Sequence, residues 1–198
     1  DGLDRQYGSF ATYDIGKSLV VGGGSFTEDG VANVPTRKVV SLDMNTSTTP
    51  TTTAMASLPT GQARRQHNAT VLADGSVLVT GGMTSTAKSG LVDLNHAITS
   101  ATRWNPTTGT WTTLASASRI RQYHSTAALL PDGRVLTGGG GICGECVDAP
   151  YLEKNIEYFS PPSLYKKDGS GQLASRPVIS TAPAAVAINT DFTITSPQ

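Results

Sequence analysis

Apolar and polar positions alternate along this chain in short runs, and the runs recur in a fixed order. Each repeat opens with a half-apolar run: residues 5–14 (RQYGSFATYD), 65–74 (RQHNATVLAD) and 121–132 (RQYHSTAALLPD). A turn and a second apolar run follow, ending on paired glycines: residues 15–24 (IGKSLVVGGG), 73–82 (ADGSVLVTGG) and 131–140 (PDGRVLTGGG). The turn glycines Gly16, Gly75 and Gly133 are spaced by 59 and 58 residues. Runs with this period-two alternation around an Asp-Gly turn predict β-hairpins, because the turn needs positive φ. The glycine pair predicts a close backbone approach that a side chain would block.

The second half of each repeat predicts further strands. Residues 100–114 (SATRWNPTTGTWTTL) are the clearest, with Trp104 and Trp111 flanking a turn, and residues 38–44 and 155–161 occupy comparable places. Four strands per unit, a double glycine after the second and a Trp near the fourth describe a blade of a kelch-type β-propeller. The fold class is therefore all-β. Residues 1–172 are expected to form about three blades of a seven-bladed propeller. The period exceeds the kelch norm of roughly 50 residues, and loops at 25–37, 83–97 and 141–154 account for the excess. After Asp168-Gly-Ser-Gly-Gln172 the composition shifts. Residues 173–198, with alternation over 176–196, predict the start of an immunoglobulin-like β-sandwich that these residues alone cannot close.

Composition narrows the function classes. The 198 residues carry a net charge of +0, with only 15% charged residues, so no basic or acidic patch calls for nucleic acid or a membrane surface. No run approaches the roughly 18 apolar residues of a membrane span. With 21 Gly, 11 Pro and abundant Ser and Thr, the chain suits a secreted β protein. It starts abruptly at Asp1 and stops inside a strand-like run, as an internal piece of a larger protein does.

Candidate chemistry is sparse. Cys143 and Cys146 form a C-x-x-C pair that fits a redox motif, half of a zinc site or a small disulfide loop. The zinc reading needs two more ligands nearby, the thioredoxin reading a βαβ context, and a structural disulfide in a Gly-rich loop is the simplest of the three. The three histidines are His67, His96 and His124. Tyr123 and His124 are adjacent on a predicted strand, so they point to opposite faces unless the backbone bends. His67 lies eight residues before its turn glycine and His124 nine before Gly133, an offset that fits a bulge in the third unit. His96 reads as a solvated loop residue. Arg64 and Arg65 read as blade-to-blade ion pairs or as contacts to a polar substrate.

The segment from Tyr123 to Cys146 resembles the galactose oxidase and glyoxal oxidase family. The resemblance rests on Tyr123-His124, on Leu130-Pro-Asp-Gly-Arg134, on Gly138–Gly141 and on Cys143-Gly-Glu-Cys146, with Ala174-Ser-Arg-Pro177 resembling the entry to the family's C-terminal immunoglobulin-like domain. It implies one copper ion, with Tyr123 as axial ligand and base and His124 as an equatorial ligand. It implies oxidation of a primary alcohol, aldehyde or carbohydrate by O₂ to give H₂O₂. It also implies that Cys143 and Cys146 form a disulfide and that Gln66, His67 and Arg65 line the substrate site, His67 without ligating. Gln66 stands where galactose oxidase has an aromatic residue facing the sugar, a departure that leaves galactose itself unsupported. The family's cross-linked Cys-Tyr pair and its remaining His ligand fall outside this chain, so the resemblance gives it two of four protein ligands and needs the remaining blades of a parent chain. The alternatives are a catalytically silent propeller that binds glycans or proteins, and a structural scaffold.

Overall fold

The computed structural model describes residues 4–24, 34–45, 48–84, 92–141 and 151–196. The chain divides into two compact units, Asp1–Pro161 and Pro162–Gln198. The first unit holds three antiparallel sheets, each built from consecutive strands. Sheet one runs β1 (Ser9–Asp14), β2 (Lys17–Val21), β3 (Val39–Asp43) and β4 (Thr51–Met55). Sheet two runs β5 (Arg65–Val71), β6 (Val77–Met83), β7 (Ser100–Asn105) and β8 (Thr110–Ser116). Sheet three, among the described residues, has β9 (Ser125–Leu129), β10 (Val135–Gly139) and β11 (Ile156–Phe159). These are the expected blades. The polar strand β4 carries no apolar alternation and was not foreseen from the sequence.

Each blade packs on the next. One core joins blades one and two through Leu19, Val21, Val39, Val77, Val79 and Trp104. A second joins blades two and three through Leu72, Leu78, Ala101 and Val135. The middle blade is covered on both faces, so Val77, Leu78 and Val79 are buried in succession. Tyr13 meets Trp104 edge-on at 4.9 Å, and Trp111 Nε1 donates to Ala56 O at 2.7 Å, which ties the outer strand of blade two to blade one. On the opposite face of blade one, Phe10 and Met44 are exposed beside Val20 and Leu42 around a cavity of about 450 Å³.

The paired glycines lie in the seams between inner strands. Gly23 N donates to Arg64 O at 2.9 Å, and Gly82 N donates to Arg121 O at 2.6 Å. A Cβ on Gly22 would lie 2.5 Å from Arg64 O, and one on Gly81 would drive into Arg121 O. Both glycines also have left-handed backbone, with φ 58° and 69°. The close approach expected of the glycine pair is therefore contact with the neighbouring blade's backbone. The same arginines pin their own blades. Arg5, Arg64 and Arg121 donate to the first seam glycine's carbonyl (Gly22, Gly81 and Gly139) at 3.0, 3.1 and 2.8 Å. Each also reaches the carbonyl at the entry to the third strand: Lys38, Ser100 and Asn155.

In the second unit, a short 3₁₀ turn at Pro162–Leu164 precedes two antiparallel bridges, Tyr165↔Leu173 and Thr181↔Thr195. Within 176–196 the described pairing is the second of these bridges. Val178, Ile179 and Ile188 stay exposed.

Substitution separates the seam from the turns. Gly81→Ala adds a backbone collision to the left-handed penalty and is expected to cost about 2–4 kcal/mol. Gly75→Ala, at φ 78° but with open space around the added methyl, is expected to cost only about 1–2 kcal/mol. Urea denaturation of the two variants checks the order.

Candidate functional site

The inner strand of each blade is entered through a left-handed residue. Tyr7, Gln66 and His124 have φ 55°, 58° and 62°. Each lies nine residues before its turn glycine. The bend at His124 is thus a feature of all three blades, and the counterparts of His124 are Gln66 and Tyr7. The register pairs His67 with Gly81 and Ser125 with Gly139, so His67 corresponds to Ser125. This corrects the alignment of His67 with His124 and the bulge inferred from it. Tyr123 and His124 also lie outside a strand. They are the two central residues of a reverse turn closed by Ser125 N donating to Gln122 O at 2.9 Å, and β9 begins after them. Side chains that would alternate in a strand come to the same side here, and the two rings stack at 3.8 Å with 28° between planes.

The third blade differs in one residue. The pinning arginine precedes the left-handed residue by two positions in Arg5–Tyr7 and Arg64–Gln66, but by three in Arg121–His124. The extra residue, Gln122, is buried. Its amide clamps the backbone of Asp93 in blade two, accepting from Asp93 N at 2.9 Å and donating to Asp93 O at 2.6 Å. Gln122 N donates to Tyr151 Oη, which donates to Ile120 O, both at 3.0 Å. Gly140 leaves the room that this hydroxyl occupies. Gly141 N donates to Tyr123 O at 2.9 Å. A non-glycine residue at left-handed φ costs on the order of 1–3 kcal/mol and persists where its surroundings over-determine it, and these contacts do so at His124.

A pocket of about 240 Å³ opens where the three inner strands begin, lined by Tyr7, Gly8, Gln66, His67, Asn68 and the run Gln122–Ser125. Tyr7 meets Tyr123 edge-on at 6.3 Å. Asn68 Nδ2 donates to Ser125 Oγ at 3.1 Å, joining blades two and three. The structure therefore brings Tyr123, His124, Gln66 and His67 to one pocket. Arg65 is buried and is absent from its wall. Arg64 is fully buried against carbonyls, the Gln62 amide and Thr102 Oγ1, and desolvation pulls its pKa down to about 10. Neither arginine is placed to meet a substrate in this pocket. His96 lies on a 3₁₀ turn, its exposed ring paired with Asp93 Oδ2 at 2.8 Å. Cys143 and Cys146 lie outside the described residues.

His67 is a buried neutral imidazole. Desolvation first, then the Arg64 charge, push its pKa from 6.5 down to about 3. Nε2 lies 3.1 Å from Val21 O. A carbonyl only accepts, so Nε2 carries the proton and Nδ1 presents its lone pair. Tyr7, Asn68, Gln122 and Ser125 are pocket residues that the sequence reading passed over. The nine-residue register to the turn glycine identifies Tyr7, and the extra position after Arg121 identifies Gln122.

Donor groups at the pocket include the Tyr123 phenol oxygen and an imidazole nitrogen of His124. Mixed N and O donors suit copper(II). No group of three His, Cys, Asp or Glu side chains able to hold a metal exists among the described residues.

A kelch-type propeller with adjacent Tyr and His side chains at a pocket where its inner strands begin defines the class. No family model matches the chain. A galactose oxidase of Gibberella zeae is 32% identical over 197 residues, 98% of this chain and 27% of that protein. The aldehyde oxidase GLOX of Vitis pseudoreticulata is 38% identical over 85 residues, 41% of this chain and 15% of that protein. A solved fungal alcohol oxidase of the AA5 family, in complex with copper, superposes with a TM-score of 0.82 at 29% identity, over 98% of this chain and 39% of that one. The chain belongs to the galactose oxidase and glyoxal oxidase family, and spans 27% of the length of the galactose oxidase it matches.

The His67 assignment fixes a pH dependence. Below pH 6.5 the unfolded chain takes up a proton at His67 that the folded chain refuses down to about pH 3. Stability is therefore lost as pH falls through that window, at about 1.4 kcal/mol per pH unit from this residue. Denaturation of wild type and His67→Gln across pH 3.5–7 is expected to show the steeper slope in wild type.

Proposed function

We propose that the chain is part of a secreted copper radical oxidase that converts a primary alcohol or a hydrated aldehyde with O₂ into the two-electron oxidised product and H₂O₂. The observation that carries this reading is the stacked Tyr123-His124 pair at the pocket, supported by a relative named galactose oxidase and by a solved relative that holds copper. Tyr123 and His124 would hold the copper ion through the phenol oxygen and an imidazole nitrogen. Bound there, copper supplies a Lewis acid that acidifies an alcohol hydroxyl and a redox centre that accepts an electron. Tyr123 takes the hydroxyl proton on its oxygen. Tyr7, Gln66 and His67 wall the substrate. Further donors and further blades come from outside this chain, and the exposed Phe10 and Met44 face suits a preceding blade. A Cys143–Cys146 disulfide suits an oxidising, extracellular setting. No helix among the described residues is long and apolar enough to cross a membrane.

A second reading is a propeller that binds glycans or proteins without chemistry, and the open pocket walled by Tyr7, Gln66 and Asn68 suits it. The two separate on one assay. The protein in which the chain occurs, loaded with Cu(II), is expected to release H₂O₂ with some member of a panel of alcohols and aldehydes. Tyr123→Phe should lower turnover by about 10²–10⁴-fold, and His124→Ala should weaken copper retention. No peroxide with any substrate, together with no retained copper, selects the second reading.

A further inference from the structure

Side chains on both flanks of the Tyr123-His124 corner tie it to blade two. The residue before it, Gln122, uses its amide on the main chain of Asp93, accepting from Asp93 N at 2.9 Å and donating to Asp93 O at 2.6 Å. The residue after it, Ser125, accepts at Oγ from Asn68 Nδ2 at 3.1 Å. Other restraints on the turn come from blade three itself. Ser125 N donates to Gln122 O, Gly141 N to Tyr123 O, and Gln122 N to Tyr151 Oη. Those bonds set the shape of the turn, and the two side-chain ties set where it stands against Gln66 and His67. The ties are unequal. Gln122 is 1% exposed, so its amide must keep both protein bonds or lose them outright. The Asn68–Ser125 bond is half-buried at the pocket wall, where water can serve either partner.

Asp93 is itself held. It caps the 3₁₀ turn Leu94–His96, with Oδ1 accepting from Asn95 N at 3.1 Å and Oδ2 accepting from His96 Nδ1 at 2.8 Å. Its charge also reaches the buried Arg65. Desolvation pulls the Arg65 pKa down, and Asp93 is one of the two groups whose charge pushes it back up. With both side-chain oxygens engaged, Asp93 presents its backbone N–H and C=O to Gln122 from a fixed loop. One donor beside one acceptor matches a side-chain amide. A carboxylate at position 122 would lose the donor, and an apolar side chain of the same length would lose both bonds. Asp93 is not part of the pocket wall, so its influence on the Tyr-His pair runs through Gln122.

We propose that Gln122 and Asp93 are positioning residues, a clamp through which the blade-two loop holds the Tyr123 and His124 rings stacked at the pocket, ready for one metal ion. That the ion is copper rests on the reading of Tyr123 and His124 above; the clamp itself does not. The residue added to the third entry turn then does more than lengthen it, because it is the residue that ties the donor pair to the neighbouring blade.

The test uses the protein in which this chain occurs, with thermal melting to show which variants fold. Gln122→Met keeps the volume and removes both bonds. In metal-free crystals it is expected to part the two rings from their 3.8 Å stack. In equilibrium dialysis it is expected to weaken Cu(II) retention about tenfold, the effect of roughly one net hydrogen bond. Asp93→Ala removes the cap and the His96 pair outside the pocket, and it decides alone if Gln122→Met does not fold. It is expected to disturb the stack and the retention in the same direction, by less. The double variant is expected to retain copper no worse than Gln122→Met, because both changes act through one clamp. Stacked rings with unchanged retention in folded Gln122→Met, losses that add in full in the double variant, or Asp93→Ala matching wild type on both readouts overturns the clamp. If the wild type itself holds no copper, the copper reading fails, and the ring geometry still decides the clamp.

Discussion

The backbone carbonyls of Arg64 and Arg121 are held between blades, and the placement of the pocket follows from that restraint. Each accepts from a seam glycine of the preceding blade, Gly23 or Gly82, in space that exists only because Gly22 and Gly81 lack a Cβ. The guanidinium of the same residue turns back to its own blade's second and third strands. One residue type thus fixes the entry of each inner strand both to its neighbour and to its own sheet. A buried guanidinium is costly unless its donors are used, and here the terminal nitrogens are used largely on carbonyls that cannot move without parting two strands. The left-handed turn that follows inherits this rigidity, which is how Tyr7, Gln66 and His124 come to one axial pocket.

The site proposed for chemistry lies where the repeat is broken. The extra position between Arg121 and His124 lengthens the entry turn of the third blade, and Gln122 and Tyr151 absorb the added length through buried hydrogen bonds to Asp93 and Ile120. Tyr123 and His124 become the exposed corner of a fixed turn, with stacked rings. Precise placement of donor groups on rigid elements is what a metal site needs, and the two earlier blades, with Gln6-Tyr7 and Arg65-Gln66 at the same corner, offer no such pair. The proposed oxidase chemistry sits at this corner, where Tyr123 and His124 on one blade face Gln66 and His67 on the next across a single pocket.

The blades were legible in the sequence because period-two alternation, Asp-Gly turns and glycine pairs are local signals repeated three times. β4 was not, since Thr51–Met55 is polar and exposed and is defined only by pairing with β3. Over 176–196 the described pairing is the single antiparallel bridge Thr181↔Thr195, since the partner strands that would extend a sandwich are not among these residues. At the site, the family resemblance pointed to Tyr123 and His124, while spacing alone misled: counting from His67 suggested a bulge, because the left-handed conformation that defines the register is invisible in residue names when the residues are Tyr, Gln and His rather than glycine. Arg65 looked like a substrate contact as a charge beside Gln66, but its side chain turns into the protein. The burial of Gln122 and its bonds to Asp93 are long-range outcomes that no local pattern encodes.

The central claim is that one rigid turn presents Tyr123 and His124 together to a copper ion. Anomalous diffraction at the copper edge, on copper-loaded crystals of the protein in which this chain occurs, tests it most directly. The account predicts a single strong peak within bonding distance of both the Tyr123 phenol oxygen and a His124 ring nitrogen. A peak held by other residues, or copper-free density with the two side chains turned apart, would contradict it.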